Sequence, residues 1–104
     1  MSEELKIAVK ELYDVFCKIE TIEECELLMS DLCTYKEIES MAQRLKAAKL
    51  LLDGATYEKI IDETEISSAT LSRVSRCVKY GKGYKTLLKK GSDATNKWKS
   101  ANKK

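Results

Sequence analysis

Residues 67–79 bring short hydroxyls and guanidiniums together in a way that suits nucleic-acid chemistry. Ser67, Ser68, Thr70 and Ser72 can bond phosphates or base edges, and Ala69 and the Thr70 methyl can touch a thymine methyl. Arg73 can span guanine O6 and N7 or bind phosphate, and Arg76 and Lys79 continue the basic face. The helix these residues would form also offers free N–H groups and a positive dipole end at its start, where Ser67 can cap it. Thr56, at the start of the preceding segment, is a further candidate for phosphate contact.

The charge distribution agrees. The formal net charge of the 104-residue chain is +2, but residues 1–65 carry 8 Lys/Arg against 16 Asp/Glu, and residues 66–104 carry 11 Lys/Arg against Asp93 alone. The sign changes at Glu65/Ile66. An acidic scaffold and a basic end together suit an anionic partner, with like-charge repulsion favouring one docking orientation.

Other chemistries are poorly supplied. With zero His there is no Ser-His-Asp or Cys-His site and no His-ligated metal, and no carboxylate cluster stands beside a plausible nucleophile, so an enzyme is not expected. Cys17, Cys25, Cys33 and Cys77 form no C-x-x-C pair, so neither zinc nor another cofactor is expected. The first three recur at intervals of eight within apolar helical stripes and are expected to be reduced, mostly buried thiols. No apolar run approaches the roughly 20 residues needed to span a bilayer. The acidic start, Met1-Ser2-Glu3-Glu4, does not read as a signal peptide, so the expected location is the cytoplasm.

The elements that position the basic face follow from periodicity. Leu5, Ala8, Val9, Leu12, Phe16 and Ile19 predict an amphipathic helix over about Glu3–Glu20. Thr21 and Glu24 form a T-x-x-E capping box before a second helix, whose apolar stripe is Ile22, Cys25, Leu28, Met29 and Leu32. Thr34 and Glu37 form another box before a longer helix, with Ile38, Met41, Ala42, Leu45, Ala48 and Leu52 inward. Gly54 stands at its left-handed C-terminal cap position. Shorter helices are predicted over about Tyr57–Thr64, with Ile60 and Ile61 inward, and over about Ser68–Tyr80, with Leu71, Val74 and Val78 inward. Gly81 and Gly83 break the latter, and Tyr84, Leu87 and Leu88 suggest a last short helix ending near Gly91. No strand alternation appears, so the fold is expected to be all-α with five to six helices. One domain is expected over 1–91, with a disordered lysine-rich tail at 92–104 in which Trp98 is solvent-exposed.

Residues 57–80 read as a helix-turn-helix. Thr64-Glu65 form a polar turn, Ile66 plugs the corner, and Leu71 and Val74 face back to the first helix, so that each helix braces the other. Two positions depart from the usual pattern. Glu65 stands where many such turns hold Gly, and a non-Gly residue at positive φ costs about 1 kcal/mol or more, so a differently shaped turn is expected. Ile61 stands where a small residue is common, which predicts looser helix packing.

With these residues in place the chain resembles the Trp repressor family, and within it the bacterial YerC/YecD-like subgroup. The matching strings are Asp31-Leu32-Cys33-Thr34, Glu37-Ile38 through Ala42-Gln43-Arg44-Leu45, Leu52-Asp53-Gly54, Thr56-Tyr57-Glu58-Lys59-Ile60, Ser68 through Val74 and Arg76 through Gly81, within about residues 11–90. The resemblance implies an intertwined all-helical homodimer, each subunit projecting one helix-turn-helix into the major groove of double-stranded DNA; Trp repressor is itself a reference case for that docking geometry. One such unit alone would make too little contact for firm binding.

The resemblance also implies a ligand site. Arg44 and Arg73 match the two arginines that sandwich the tryptophan corepressor. Val74, however, replaces the glycine after the second arginine, and Cys77 replaces the serine that helps hold the ligand amine. A β-branched side chain would crowd the ligand and a thiol is a poor partner for an ammonium. Tryptophan is therefore not expected to bind, and Arg44 is expected to meet phosphate or an acidic neighbour such as Glu39. The function implied is a sequence-specific transcriptional regulator, most simply a repressor. The alternative is a protein-interaction module whose acidic half binds a basic partner and whose helix-turn-helix is vestigial.

Overall fold

The computed structural model describes residues 1–89. The expected domain end at 91, the helix end near Gly91, the tail 92–104 and Trp98 lie outside the described residues. Six helices follow in chain order: α1 (Glu3–Phe16), α2 (Ile22–Leu32), α3 (Tyr35–Leu52), α4 (Tyr57–Thr64), α5 (Ser68–Tyr80) and α6 (Gly83–Lys89). Among the described residues there is no strand, so the all-α reading holds.

Most helix starts are set by a hydroxyl cap. Thr34 Oγ1 accepts the Glu37 N–H at 3.1 Å while Glu37 Oε1 accepts the Thr34 N–H at 2.7 Å, a complete capping box. These bonds hold the Glu37 carboxyl below the ordinary carboxylate range, the backbone N–H of Thr34 contributing most and its hydroxyl less. The expected box at Thr21 is only half formed. Thr21 Oγ1 accepts the Glu24 N–H at 3.1 Å, but Glu24 Oε1 reaches past the cap to the Glu20 N–H at 2.8 Å. Ser2 caps α1 in the same way, its Oγ accepting the Leu5 N–H at 3.1 Å.

Two helix ends also have identifiable causes. α1 stops at Phe16, short of the expected Glu20, because Lys18 and Ile19 donate to the carbonyls of Val15 and Phe16 and tighten the chain into the extended Thr21 cap. Gly54 takes φ +87°, its N–H bonding the Leu51 carbonyl and the Ala55 N–H bonding the Leu50 carbonyl, which closes α3 in a Schellman motif.

The core is small and lies where α3 meets α4, α5 and α6. Ala47, Ala48, Ile60, Ile66, Leu71 and Val74 are buried, with Leu50, Leu51, Ala55, Val78, Tyr84 and Leu88 packed around them. The two alanines let the α4–α5 unit approach α3 closely. Ala47 is an inward position that the apolar stripe did not include, whereas Ala42 and Leu45 face outward, Leu45 at 43% exposure. On α4 the expected pair divides. Ile60 is fully buried, but Ile61 is turned to the surface at 37% exposure, so its bulk does not force the two helices apart.

Neither α1 nor α2 buries a residue. Their stripes leave Leu5, Ala8 and Leu32 exposed, and Val9, Leu12, Phe16, Ile22 and Met29 only half-buried; Ile7 and Leu27, outside the stripes, are exposed as well. The expectation of mostly buried thiols fails for the same reason. Cys17 is exposed and Cys25 and Cys33 are half-buried on these faces, while Cys77 is exposed on α5; all four are free. No described helix is long and apolar enough to cross a membrane.

Candidate nucleic-acid interface

The α4–α5 corner is built by side-chain hydroxyls. Thr64, buried at the end of α4, donates its hydroxyl to the Ile60 carbonyl at 2.6 Å and accepts the Ile66 N–H at 3.3 Å. Glu65 then takes φ +58°, ψ +15°, the left-handed conformation, as the C-cap of α4. The turn therefore keeps the left-handed geometry that glycine serves, and glutamate bears its cost, contrary to the expectation of another shape. Ile66 enters the core at the corner, as expected. Lys46 Nζ of α3 donates to the Glu63 carbonyl at 3.4 Å and helps satisfy the open end of α4.

Ser67 caps α5. Its Oγ accepts the Thr70 N–H at 3.2 Å and donates to Thr70 Oγ1 at 2.9 Å, so this hydroxyl is largely spent within the helix start. Thr56 is likewise the N-cap of α4, its Oγ1 accepting the Lys59 N–H at 3.2 Å. Leu71, Val74 and Ser75 are buried, which turns the other side of α5 outward. Ser68, Ala69, Ser72, Arg73, Arg76 and Lys79 are all exposed there, at helical spacing on one broad face. Sequence reading missed Ser75 and Thr64 as structural residues. Their polar side chains read as surface, and only the packing that buries them reveals them.

Thr70 departs from this outward set. It is half-buried and lines a pocket of about 320 Å³ between α3, α5 and α6, together with Ser40, Arg44, Arg73, Val74, Cys77 and Tyr84. The four residues matched to a ligand site, Arg44, Arg73, Val74 and Cys77, thus share one pocket. Arg44 does not pair with Glu39; its Nε donates to the Ser40 carbonyl at 3.4 Å, and Lys6–Glu3 is the one ion pair among the described residues. Val74 is buried in the core beside the pocket, and Cys77 borders both it and an apolar groove lined by Leu45, Gly81, Leu87 and Leu88. Gly81 is required at that junction, because a Cβ there would lie 2.7 Å from the Cys77 carbonyl oxygen.

Six helices among the described residues, with a capped, basic-faced helix projecting from a helix-turn-helix, define a class of protein. The family model described as Trp repressor protein matches residues 8–92, and the chain belongs to that family. It is 48% identical over 71 residues to the uncharacterized protein YerC of Bacillus subtilis (strain 168), the match covering 68% of each chain. Two crystal structures share the fold. A candidate Trp repressor from Staphylococcus aureus superimposes with a TM-score of 0.79 at 38% identity, covering 88% of this chain and 96% of that one. A TrpR-like protein from Eubacterium eligens ATCC 27750 gives 0.81 at 34% identity with the same coverage.

Proposed function

We propose that the protein is a sequence-specific DNA-binding transcriptional regulator, a repressor working in the cytoplasm as a homodimer and without tryptophan as corepressor. The observation that carries this reading is the division of α5. Leu71 and Val74 anchor one side in the core, and Ser68, Ala69, Ser72, Arg73, Arg76 and Lys79 leave the other free for the major groove. Arg73 and Arg76 are the base or phosphate contacts, Ala69 the thymine-methyl contact, and Thr56 and Ser67 place helix-start N–H groups beside the backbone. The homodimer is supported by α1 and α2, whose apolar faces bury no residue among the described residues. Absence of tryptophan binding is supported by Val74 and Cys77 at the pocket that Arg44 and Arg73 flank.

Selection of bound duplexes from a genomic library, with and without tryptophan, tests the reading. The expected result is a motif with two half-sites about one helical turn apart, unchanged by tryptophan. Failure to enrich any motif overturns sequence-specific binding, and a motif enriched only with tryptophan overturns the corepressor reading.

A further inference from the structure

We propose that Lys85 is a positioning residue for the DNA-reading helix: its ammonium caps the C-terminal end of α5 and thereby fixes the aim of Arg76 and Lys79. The effect on DNA rests on the regulatory reading above; the cap itself rests on geometry. Lys85 Nζ donates to the Lys79 carbonyl at 2.7 Å, from the first turn of α6 back to the last turn of α5. Among the described residues Lys85 pairs with no carboxylate. It is half-buried, whereas its neighbours Lys79 and Lys82 are exposed. Its charge is therefore directed into the protein, against the negative end of the α5 dipole.

The end of α5 has little else to hold it. Its start is fixed by the Ser67 cap and by Ile66 in the corner, and its middle by buried Leu71, Val74 and Ser75. Val78 is the last α5 side chain packed against the core, and Tyr80, at 82% exposure, buries almost nothing. Gly81 leaves the helix in an extended conformation, its N–H bonding the Cys77 carbonyl, so no left-handed motif closes the last turn. α6, by contrast, is anchored, because Tyr84 and Leu88 pack against the core. Lys85 follows Tyr84 directly and so reaches the Lys79 carbonyl from a fixed support. Arg76 and Lys79 stand in the last two turns of α5, and both are exposed. A helix end that frays or swings would carry them away from the duplex while Ser68 and Ala69, beside the corner, stayed in place.

Amide hydrogen exchange of the full chain tests the cap without DNA. Lys85→Met removes the ammonium and keeps the apolar stem of the side chain, so the variant should fold. Exchange over Val78–Gly81 should quicken roughly two- to fivefold, with Leu71 and Val74 unchanged. No change in that turn, or an equal rise at Leu71 and Val74, overturns the cap. Affinity for a selected duplex tests the positioning role. Lys85→Met should weaken it about threefold or more in the wild-type background, but less than about twofold where Arg76→Ala and Lys79→Ala are already present. Those two variants leave the Lys79 carbonyl in place, so the cap persists while the side chains it aims are gone. An equal loss in both backgrounds would put Lys85 on the duplex itself and overturn the proposal, and so would no loss in either. Lys85→Arg keeps a charged donor and should restore both readouts; an Arg variant no better than Met would assign the effect to packing and also overturn it. Should no duplex bind the wild type, the regulatory reading falls while exchange still decides the cap.

Discussion

The Thr64 hydroxyl lies 2.6 Å from the Ile60 carbonyl oxygen, to which it donates, and accepts the Ile66 N–H at 3.3 Å. One buried side chain thus ties the last turn of α4 to the residue that enters the core at the corner. Thr64→Val keeps the shape but leaves the Ile66 N–H without its acceptor. Leaving a buried donor unsatisfied costs about 1–3 kcal/mol, and urea unfolding should show a loss in that range. Thr64→Ser, which keeps the hydroxyl, should lose clearly less; equal losses would mean that the methyl, not the hydrogen bonds, holds the turn.

Glu65, the next residue, gives the opposite sign. At φ +58° it bears the left-handed penalty that glycine escapes. Glu65→Gly should therefore stabilise the chain by about 0.5–1 kcal/mol, the relief of strain being partly offset by the freer unfolded chain. It also removes a negative charge beside the basic face, so duplex affinity should rise slightly. A destabilised Glu65→Gly in denaturant titration would show that the Glu side chain contributes more than its backbone strain costs.

These two neighbours show what the sequence could and could not disclose. Hydroxyl caps at Thr34 and Ser67, the Gly54 termination and the buried Leu71 and Val74 were legible, because each depends on residues within one or two turns, whereas the Thr56 cap of α4 was not read. Glu65 was visible as a departure, yet its consequence was misread, since the turn is imposed by Thr64 and Ile66 rather than by Glu65's own preference. Ile61 and Leu45 were misplaced because apolar periodicity gives a stripe without saying which edge of it meets a neighbour. Thr70 illustrates the same limit for the site. Its type suits DNA contact, but its half-buried place beside Arg44 depends on how α3 lies against α5.

The capping box at Thr34 should make part of the stability dependent on pH. Glu37 titrates lower in the folded chain than in the unfolded one, so its contribution is present above the unfolded carboxylate range and is lost as pH falls through the folded value. Glu37→Gln should therefore unfold earlier than wild type at neutral pH and converge with it in acid. Thr34→Ala should cost about 1 kcal/mol through the lost cap. Parallel thermal melts at neutral and acid pH check both, and a Glu37→Gln deficit that persists unchanged in acid would rule out the charged box as its source.

Oligomeric state offers a test that is independent of DNA. Leu5 is 50% exposed and Ile7 59% exposed on α1, so within a lone chain a charged replacement should change stability by no more than about 0.5 kcal/mol. If the α1 and α2 faces are covered by a second copy, Leu5→Glu introduces a charge into that interface and dissociates it. Sedimentation velocity at micromolar concentration should show a dimer for the wild type and a larger monomer fraction for Leu5→Glu. A monomeric wild type would remove the homodimer from the proposed function.

The reversal of charge at the corner leads to a quantitative prediction for DNA. The bracing helix carries Glu58, Asp62 and Glu63, and the exposed face of α5 carries Arg73, Arg76 and Lys79. Each phosphate neutralised by a basic side chain releases counterions, so the logarithm of affinity should fall linearly with the logarithm of salt, with a slope of about −0.9 per contact. Arg76→Ala, if Arg76 binds phosphate, should reduce the slope by about one and weaken all sequences alike. Arg73→Ala, if Arg73 reads a base, should cost about 1–3 kcal/mol on the selected site and little on other duplexes. Titrations of selected and scrambled duplexes over a range of salt separate the two roles. Equal losses on both duplexes for Arg73→Ala would reassign Arg73 to the backbone, leaving Ser68, Ala69 and Ser72 to carry the sequence preference.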